Sequence, residues 1–377
     1  MTPKRVLHAH STFSPGGKEL RSVRLMNAFG AAAEHSILSA MPGELGARDA
    51  IHPDIRAVFP ADAPALAGRP SLARYRALAA YMRGFDLVLT YNWGAMDMVA
   101  ARRLFPHGCP PLIHHEDGFN ADEATRRLVR RTLFRRFALP AAARIIVPSQ
   151  ALSEIARRDW ALADDRLAVV PNGVETRLFA QPPLPGALPG LVTAPGDVVV
   201  GTVAGLRPVK NIPLLVRAVA LLGTSVRLVV VGDGPERDAI AALARDLGMA
   251  DRLLLTGHLP NPQDFLGRFD VFALSSDSEQ APLALMEAMA AGRAIAATDV
   301  GDVRAMVAPE NQPFIVAGAD GAALARALAG LVADPALRAR LGAANQQRAR
   351  TDFDAVQMIR RYGMLYGLPD PTVPAVR

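Results

Sequence analysis

The stretch VFALSSDSEQAPLALMEAMAAG (residues 271–292) holds the pattern on which the fold turns. VFALSS is a short, continuously apolar run of strand length. PLALMEAMAA is a helix-length run, with Pro282 suited to its first position and Gly292 to the place just past its end. A buried strand leading through a polar loop into a buried helix is the building unit of a parallel α/β sheet. The loop carries Glu279, and the helix carries a single charge, Glu287. An unpartnered carboxylate in apolar surroundings costs several kcal/mol, so Glu287 calls for a buried arginine or a pair of ligand hydroxyls. The helix start adds free N–H groups and a dipole that favour an anion by roughly 0.3–2 kcal/mol, which suits a diphosphate.

The same alternation runs from end to end. RVLHAH, HSILSA, DIRAVF, DLVLTY, PLIHH, RIIVPS and LAVVP read as strands of the first half; VVVGTVAG, RLVVVG, RLLLTG, VFALSS, AIAATD and PFIVAG read as strands of the second. Helix-length segments separate them, which predicts two parallel sheets covered on both faces. Five prolines within residues 180–197 cannot join a ladder or helix, so the boundary is expected there: a first domain over 1–185, a second over 196–353, and a helical segment over 354–377 that crosses back to the first. A length of 377 residues suits two cores. Two such sheets bind ligands at their strand carboxyl ends, in a cleft between the domains.

Composition narrows the class. Half of the residues are hydrophobic and 21% are charged, as in a folded globular chain. No apolar run approaches the roughly 20 residues that span a bilayer, and MTPKRVLHAHST reads as a strand and not as a secretory signal. Cys109 is the only cysteine, which excludes an intrachain disulfide and a cysteine-rich metal site; with the absent signal it points to the cytoplasm. Residues 1–190 carry 24 Lys/Arg against 17 Asp/Glu, whereas the rest is nearly balanced at 18 against 19. That excess suits phosphorylated ligands or an anionic membrane; aromatics at 6% and the lack of a recognised motif argue against nucleic acid.

Four further segments carry chemistry. GTVAGLRPVKNIPLLVRAV (201–219) sets Arg207 and Lys210 after a strand and before a helix, as a fork and a point charge for phosphate. Gly16 and Gly17 lie between the first strand and an amphipathic helix and permit close backbone approach to a ligand, as would a plain tight turn. PLIHHEDGF crowds His114, His115, Glu116 and Asp117 at a strand end; alternation splits them between the two sheet faces, which weakens any metal reading. NADEATRRLVRRTLFRRFA opens with a capping box, Asn120 and Glu123, and carries six arginines over 126–136. Its wheel scatters Leu128, Val129, Leu133, Phe134 and Phe137, so its arginines are read as a solvated face or as a contact for an anionic membrane or a phosphate-bearing acceptor.

Together the E-x7-E spacing of Glu279 and Glu287, GLRPVKN, VVVGDGPER, TGHLPN, VPSQAL and VVPNGVETRLF resemble glycosyltransferase family 4, retaining enzymes of the GT-B fold. The resemblance spans nearly the whole chain and looks closest to sugar transferases of exopolysaccharide assembly. It implies a sugar donor on a UDP- or GDP-type diphosphate, a glycan or lipid-linked acceptor, and neither cofactor nor metal. Arg207 and Lys210 would hold the diphosphate, Glu287 the ribose, and Glu279 the sugar. Backbone at Ala281, Pro282, Leu283, Gly16 and Gly17 would complete the phosphate cradle, with Gly257, His258 and Leu259 near the base. The family's histidine beside the reacting carbon maps onto His115, with His114 and Asp117 adjacent. The sequence departs from many members in reading EQAPLAL where they carry glycines, and Pro282 removes one N–H donor. An epimerase or hydrolase of the same fold and a non-catalytic nucleotide-sugar scaffold are the competing readings, and a position at the inner face of the membrane follows from the basic segment.

Overall fold

The apolar runs become strands of two sheets. The computed structural model describes residues 2–119, 128–318 and 320–370, and it divides into two units. Unit 1 comprises Met1–Pro171 with Met358–Arg377, and unit 2 comprises Asn172–Gln357.

In unit 1 the strands are β1 (Lys4–His10), β2 (Ala33–Ser39), β3 (Ala57–Val58), β4 (Leu87–Tyr91), β5 (Leu112–His115), β6 (Arg144–Val147) and β7 (Leu167–Val169), in the order β3-β2-β1-β4-β5-β6-β7. Every pairing is parallel. Both faces are covered, so successive residues of β1 enter opposite cores: Leu7 and Ala9 meet Leu78, Val99 and Trp160, while Val6 joins Leu25, Phe29 and Tyr362. This is why the strands read as continuous apolar runs.

Unit 2 repeats the plan with β8 (Val198–Val203), β9 (Val226–Val231), β10 (Leu253–Gly257), β11 (Val271–Leu274), β12 (Ala294–Thr298) and β13 (Ile315–Val316), ordered β10-β9-β8-β11-β12-β13. These pairings are parallel as well. Gly201 of β8 admits the ring of Phe269, which lies 2.2 Å from where a Cβ would stand. In each sheet the first strand in sequence is internal, and the chain runs to one edge before returning to build the other. The loops leaving β1 and β4, and those leaving β8 and β11, therefore diverge, and such a switch point opens a crevice at the strand carboxyl ends.

The boundary differs from the sequence expectation. It falls at Pro171/Asn172, so residues 172–185 belong to unit 2. Val174 bridges Asp354, its amide donating to Phe353, and Phe179 and Leu188 enter the unit 2 core. The proline-rich stretch is not a free linker: Leu184 N–H donates to Asp264 O at 2.8 Å and Pro183 packs on Gly267. Prolines exclude regular ladders without excluding packing. The helix Ala355–Tyr366 passes from unit 2 into unit 1 at Met358, where Met358, Ile359, Tyr362 and Tyr366 are buried beside Val6, Leu89 and Ile113. Lys4 Nζ donates to the carbonyls of Tyr366 and Gly367 at 2.8 and 2.9 Å.

Candidate functional site

At the switch point of unit 2, the loop after β8 is held by its neighbours. Ala204 and Leu206 N–H groups donate to the carbonyls of Val231 and Asp233. That approach needs glycine on the β9 side: a Cβ on Gly232, at φ +136°, would stand 1.9 Å from Ala204 O, and one on Gly234 2.5 Å from Leu206 O. Arg207 is exposed at the start of a short turn, Pro208–Lys210, and Asn211 then takes the left-handed conformation (φ 46°, ψ 45°) as cap of the helix Ile212–Ala220.

The loop after β11 closes onto this turn. Asp277 N–H donates to Val209 O at 2.9 Å, Ser275 Oγ to Lys210 O at 3.1 Å, and Asn211 Nδ2 to Asp277 Oδ1 at 2.8 Å. The side chains then meet: Lys210 Nζ lies 2.5 Å from Glu279 Oε1, which also accepts from Ser276 Oγ at 2.7 Å. The ammonium and carboxylate expected to hold different parts of one ligand thus touch each other, both largely screened from solvent. A glycine on the loop after β12 makes room for the EQAP segment. Gly301 (φ +55°) leaves only 2.4 Å between a would-be Cβ and Glu279 O, so the segment is pressed against the β12 loop, and Asp302 N–H donates to Gln280 O.

Pro282 is the residue before the helix and not its first: the helix is Leu283–Ala290, with Pro282 at φ −68°, ψ 123°. Its start offers the amide of Leu283, next to a half-buried Ala281. Glu287 is corrected as well. The helix is not buried all round; Leu285, Met286, Ala288, Met289 and Ala290 are buried, whereas Leu283, Ala284 and Glu287 are half-buried and share one face. The acid sits on that face one turn after Leu283 and so escapes full desolvation. Gly257 (φ +75°) ends β10 and accepts from Gly232 N–H at 2.8 Å, followed by exposed His258 and half-buried Leu259.

In unit 1 the strand-end quartet divides by face, as alternation requires. His114 and Glu116 turn to one side, where Glu116 Oε2 accepts from Arg135 Nε at 3.2 Å and His114 Nδ1 meets Thr90 Oγ1 at 2.9 Å. Asp117 turns to the other, where Arg21 clamps it through both nitrogens, at 2.5 and 2.9 Å. Burial alone would raise the Asp117 carboxyl, but the Arg21 charge and hydrogen bonds hold it below the usual range.

His115, the expected contact of the sugar, lies in the interior of unit 1. It is buried, and both nitrogens are engaged: Nδ1 with Thr90 O at 3.1 Å and Nε2 with the Tyr366 hydroxyl at 2.8 Å. A carbonyl only accepts, so Nδ1 carries the hydrogen and Nε2 receives that of Tyr366. Burial, reinforced by Arg21, pushes the ring down to about 3, so it is neutral. It lies in a stack that the sequence reading missed, His10 on Tyr91 at 4.0 Å and Tyr91 on His115 at 4.5 Å, with His8 Nε2 3.0 Å from His35 Nδ1. The period-two spacing of His8 and His10 in HAH was the available signal. Lys18 was missed too; burial pushes it down to about 8. Gly16 precedes the helix Gly17–Phe29 at φ −144°, an ordinary extended value, and a Cβ on it would stand 2.8 Å from Glu19 Oε2.

Part of the arginine-bearing segment is not described. Asn120, Glu123, Arg126 and Arg127 lie outside the described residues. Within the helix Val129–Ala138, Arg131 and Arg135 are buried and not solvated: Arg131 lies over Trp93 at 4.9 Å, and Arg135 lies 5.1–5.4 Å from the rings of Trp93, Phe119 and Trp160. Among the described residues no cluster of three His, Cys, Asp or Glu is placed to hold a metal, and no helix is long and apolar enough to cross a membrane.

Comparison with known proteins adds to this geometry. Residues 15–178 match the family described as Glycosyltransferase Family 4, and residues 190–348 match that described as Glycosyl transferases group 1. The chain is 30% identical over 208 residues to the lipopolysaccharide core biosynthesis mannosyltransferase LpcC of Rhizobium leguminosarum bv. viciae, covering 52% of this chain and 58% of that one. It is 29% identical over 286 residues to the D-inositol 3-phosphate glycosyltransferase of Streptomyces avermitilis, covering 70% and 61%. The chain thus spans about three fifths of the length of these two relatives. In structure it is similar to HepE of Anabaena solved with UDP, with a TM-score of 0.78 at 19% identity over 96% of this chain and 99% of that one.

Proposed function

The chain belongs to glycosyltransferase family 4, with the two-sheet GT-B fold, and from that premise we propose that it moves a sugar from a nucleotide-diphosphate sugar to a glycan or lipid-linked acceptor in polysaccharide or cell-surface glycan synthesis. HepE was solved with UDP, which makes a UDP sugar the first donor to test and a GDP sugar the second. A cytoplasmic setting suits a chain with one cysteine.

The observation that carries the reading is the meeting of Lys210 and Glu279 at a sheet switch point beside the start of Leu283–Ala290. Departure of the diphosphate leaves negative charge on its oxygens and an oxocarbenium-like sugar carbon. Lys210, Arg207 and the Leu283 amide supply fixed positive potential for the first, and Glu279 supplies negative charge for the second. Glu287, on the less buried face of its helix, takes the ribose hydroxyls; Gly257, His258 and Leu259 lie by the base. In a retaining transfer the acceptor hydroxyl attacks from the face the diphosphate leaves, and the departing phosphate oxygen takes its proton. Protein cations then do the work a metal would otherwise do. In unit 1, Asp117, held by Arg21, and Lys18, paired with Glu19, are the groups assigned to the acceptor.

A thermal-shift panel of UDP, GDP and ADP with their sugars tests donor binding; a nucleotide at 100 times its Kd adds roughly 2.7 kcal/mol of stability. Product analysis with acceptor present then reads the anomeric configuration. A donor consumed equally without acceptor would favour hydrolysis or epimerisation, and no shift with any nucleotide would remove the proposal.

A further inference from the structure

The segment 279–282 is pinned along its main chain. Glu279 Oε1 receives Lys210 and Ser276, and Gln280 O accepts from Asp302 N–H at 3.0 Å. Gly301 presses from outside, with 2.4 and 2.6 Å between a would-be Cβ and the carbonyl oxygens of Glu279 and Gln280. Pro282 fixes the backbone beyond, at φ −68°. The side chain of half-buried Gln280 takes no part in this. Among the described residues its amide has no hydrogen-bond partner, and its Oε1 is buried. A buried carbonyl without a donor is unfavourable, and ordering a glutamine costs more side-chain entropy than ordering a short residue. Alanine would meet neither cost. The amide that the fold leaves unused stands between Glu279, assigned to the sugar, and the helix start at Leu283, assigned to the diphosphate.

We propose that Gln280 is a specificity-determining residue for the donor, its amide holding adjacent hydroxyls of an uncharged hexose. The inference rests on the donor reading above and adds to it a residue and a substrate class. A primary amide offers an acceptor and a donor side by side, and neighbouring sugar hydroxyls, each able to donate and to accept, are their complement. Rotation about the side-chain bonds turns the amide from protein to ligand while the pinned main chain stays where it is. Glu279, one residue earlier, sets the charge of the sugar. A uronic acid would bring a second carboxylate beside it, and the contact with Lys210 offsets only part of that repulsion.

Thermal shift separates the sugar from the nucleotide without an acceptor. The full chain, Gln280→Ala and Gln280→Met are melted with UDP, GDP, UDP-glucose, UDP-galactose, UDP-N-acetylglucosamine, UDP-glucuronate and GDP-mannose. The contribution of each sugar is read as the Kd of the nucleotide sugar relative to that of its bare nucleotide. Both variants should bind UDP and GDP as the parent does, while the neutral sugar that the parent prefers loses about tenfold in affinity. Gln280→Met keeps the bulk and removes the amide, so an equal loss in both variants assigns the effect to hydrogen bonding. Their unliganded melting temperatures should equal or exceed that of the parent, because the unpaired carbonyl is gone. Unchanged ratios of sugar to nucleotide in both variants would overturn the proposal. So would a parent that binds UDP-glucuronate better than every neutral sugar, or a lower unliganded melting temperature in Gln280→Met, which would show the amide bonded within the fold. No shift of the parent with any nucleotide would remove the donor reading itself, and this inference with it.

Discussion

Lys210 and Glu279, 69 residues apart in sequence, stand 2.5 Å apart in the fold. Two loops bring them together, each leaving one of the adjacent strands at which the strand order reverses. In the proposed reaction each must also serve the donor, so their effects on turnover are coupled. Lys210→Ala and Glu279→Ala should each lower kcat about 10²-fold or more. The double variant should fall by clearly less than the product of the two. Steady-state kinetics of the four proteins decides this, and simple multiplicativity would show that the contact has no part in catalysis.

Asn211 sets the direction of Lys210. Its left-handed backbone suits asparagine or glycine, and its side chain joins Asp277. Asn211→Gly keeps the conformation and loses the bond, whereas Asn211→Ala loses the bond and adds strain of about 1–2 kcal/mol. The alanine variant should melt lower than the glycine variant, while both show a raised KM for donor.

Gly301 keeps the Glu279 loop in place from outside. With its φ at +55° and Glu279 O only 2.4 Å from a Cβ, Gly301→Ala should shift that loop at a cost of about 1–3 kcal/mol. A larger proportional loss in nucleotide thermal shift than in melting temperature is the expected result.

The buried imidazoles predict acid sensitivity of unit 1. Burial drives His8 and His10 well below their ordinary 6.5, His35 to about 4 and His115 to about 3. The folded rings are therefore neutral, and the unfolded chain binds more protons. The stability they contribute is complete above pH 6.5 and declines as pH falls toward 4 and then 3, by roughly 1.4 kcal/mol per pH unit for each ring. Denaturant melts between pH 7.5 and 4 should show the steepest loss in the unit 1 transition, and His35→Asn should reduce that slope.

Tyr366→Phe separates support from chemistry. It removes the donor to His115 Nε2 and leaves a buried acceptor unsatisfied, at about 1–3 kcal/mol. A lower melting temperature with an unchanged KM for donor is expected; a changed KM with unchanged stability would return His115 to the ligand.

Much of the scaffold was legible because buried parallel strands are continuous apolar runs and the helices between them have their own length and caps. The placement of the second-sheet residues on their elements was legible for a related reason: strand, loop and helix are contiguous there, so Arg207, Lys210 and Glu279 fall in loops between strand and helix and Glu287 one turn into its helix. What was hidden depends on distant partners. The aromatic cage of Arg135 comes from Trp93, Phe119 and Trp160, and the contact that engages His115 comes from Tyr366, 251 residues away. Local composition could not show that those groups were already occupied. The proline-rich stretch misled for the opposite reason, since it signals irregular backbone and not the absence of a core beneath it.

The helix that passes into unit 1 at Met358 also orders events during synthesis. Unit 2 is one uninterrupted segment, complete once residue 357 has left the ribosome, whereas the earlier-made unit 1 must wait for Tyr362 and Tyr366 to cover Val6, Leu89 and Ile113. The second-made half is thus complete in sequence first, and until translation passes those tyrosines the cover over Val6, Leu89 and Ile113 is unfinished.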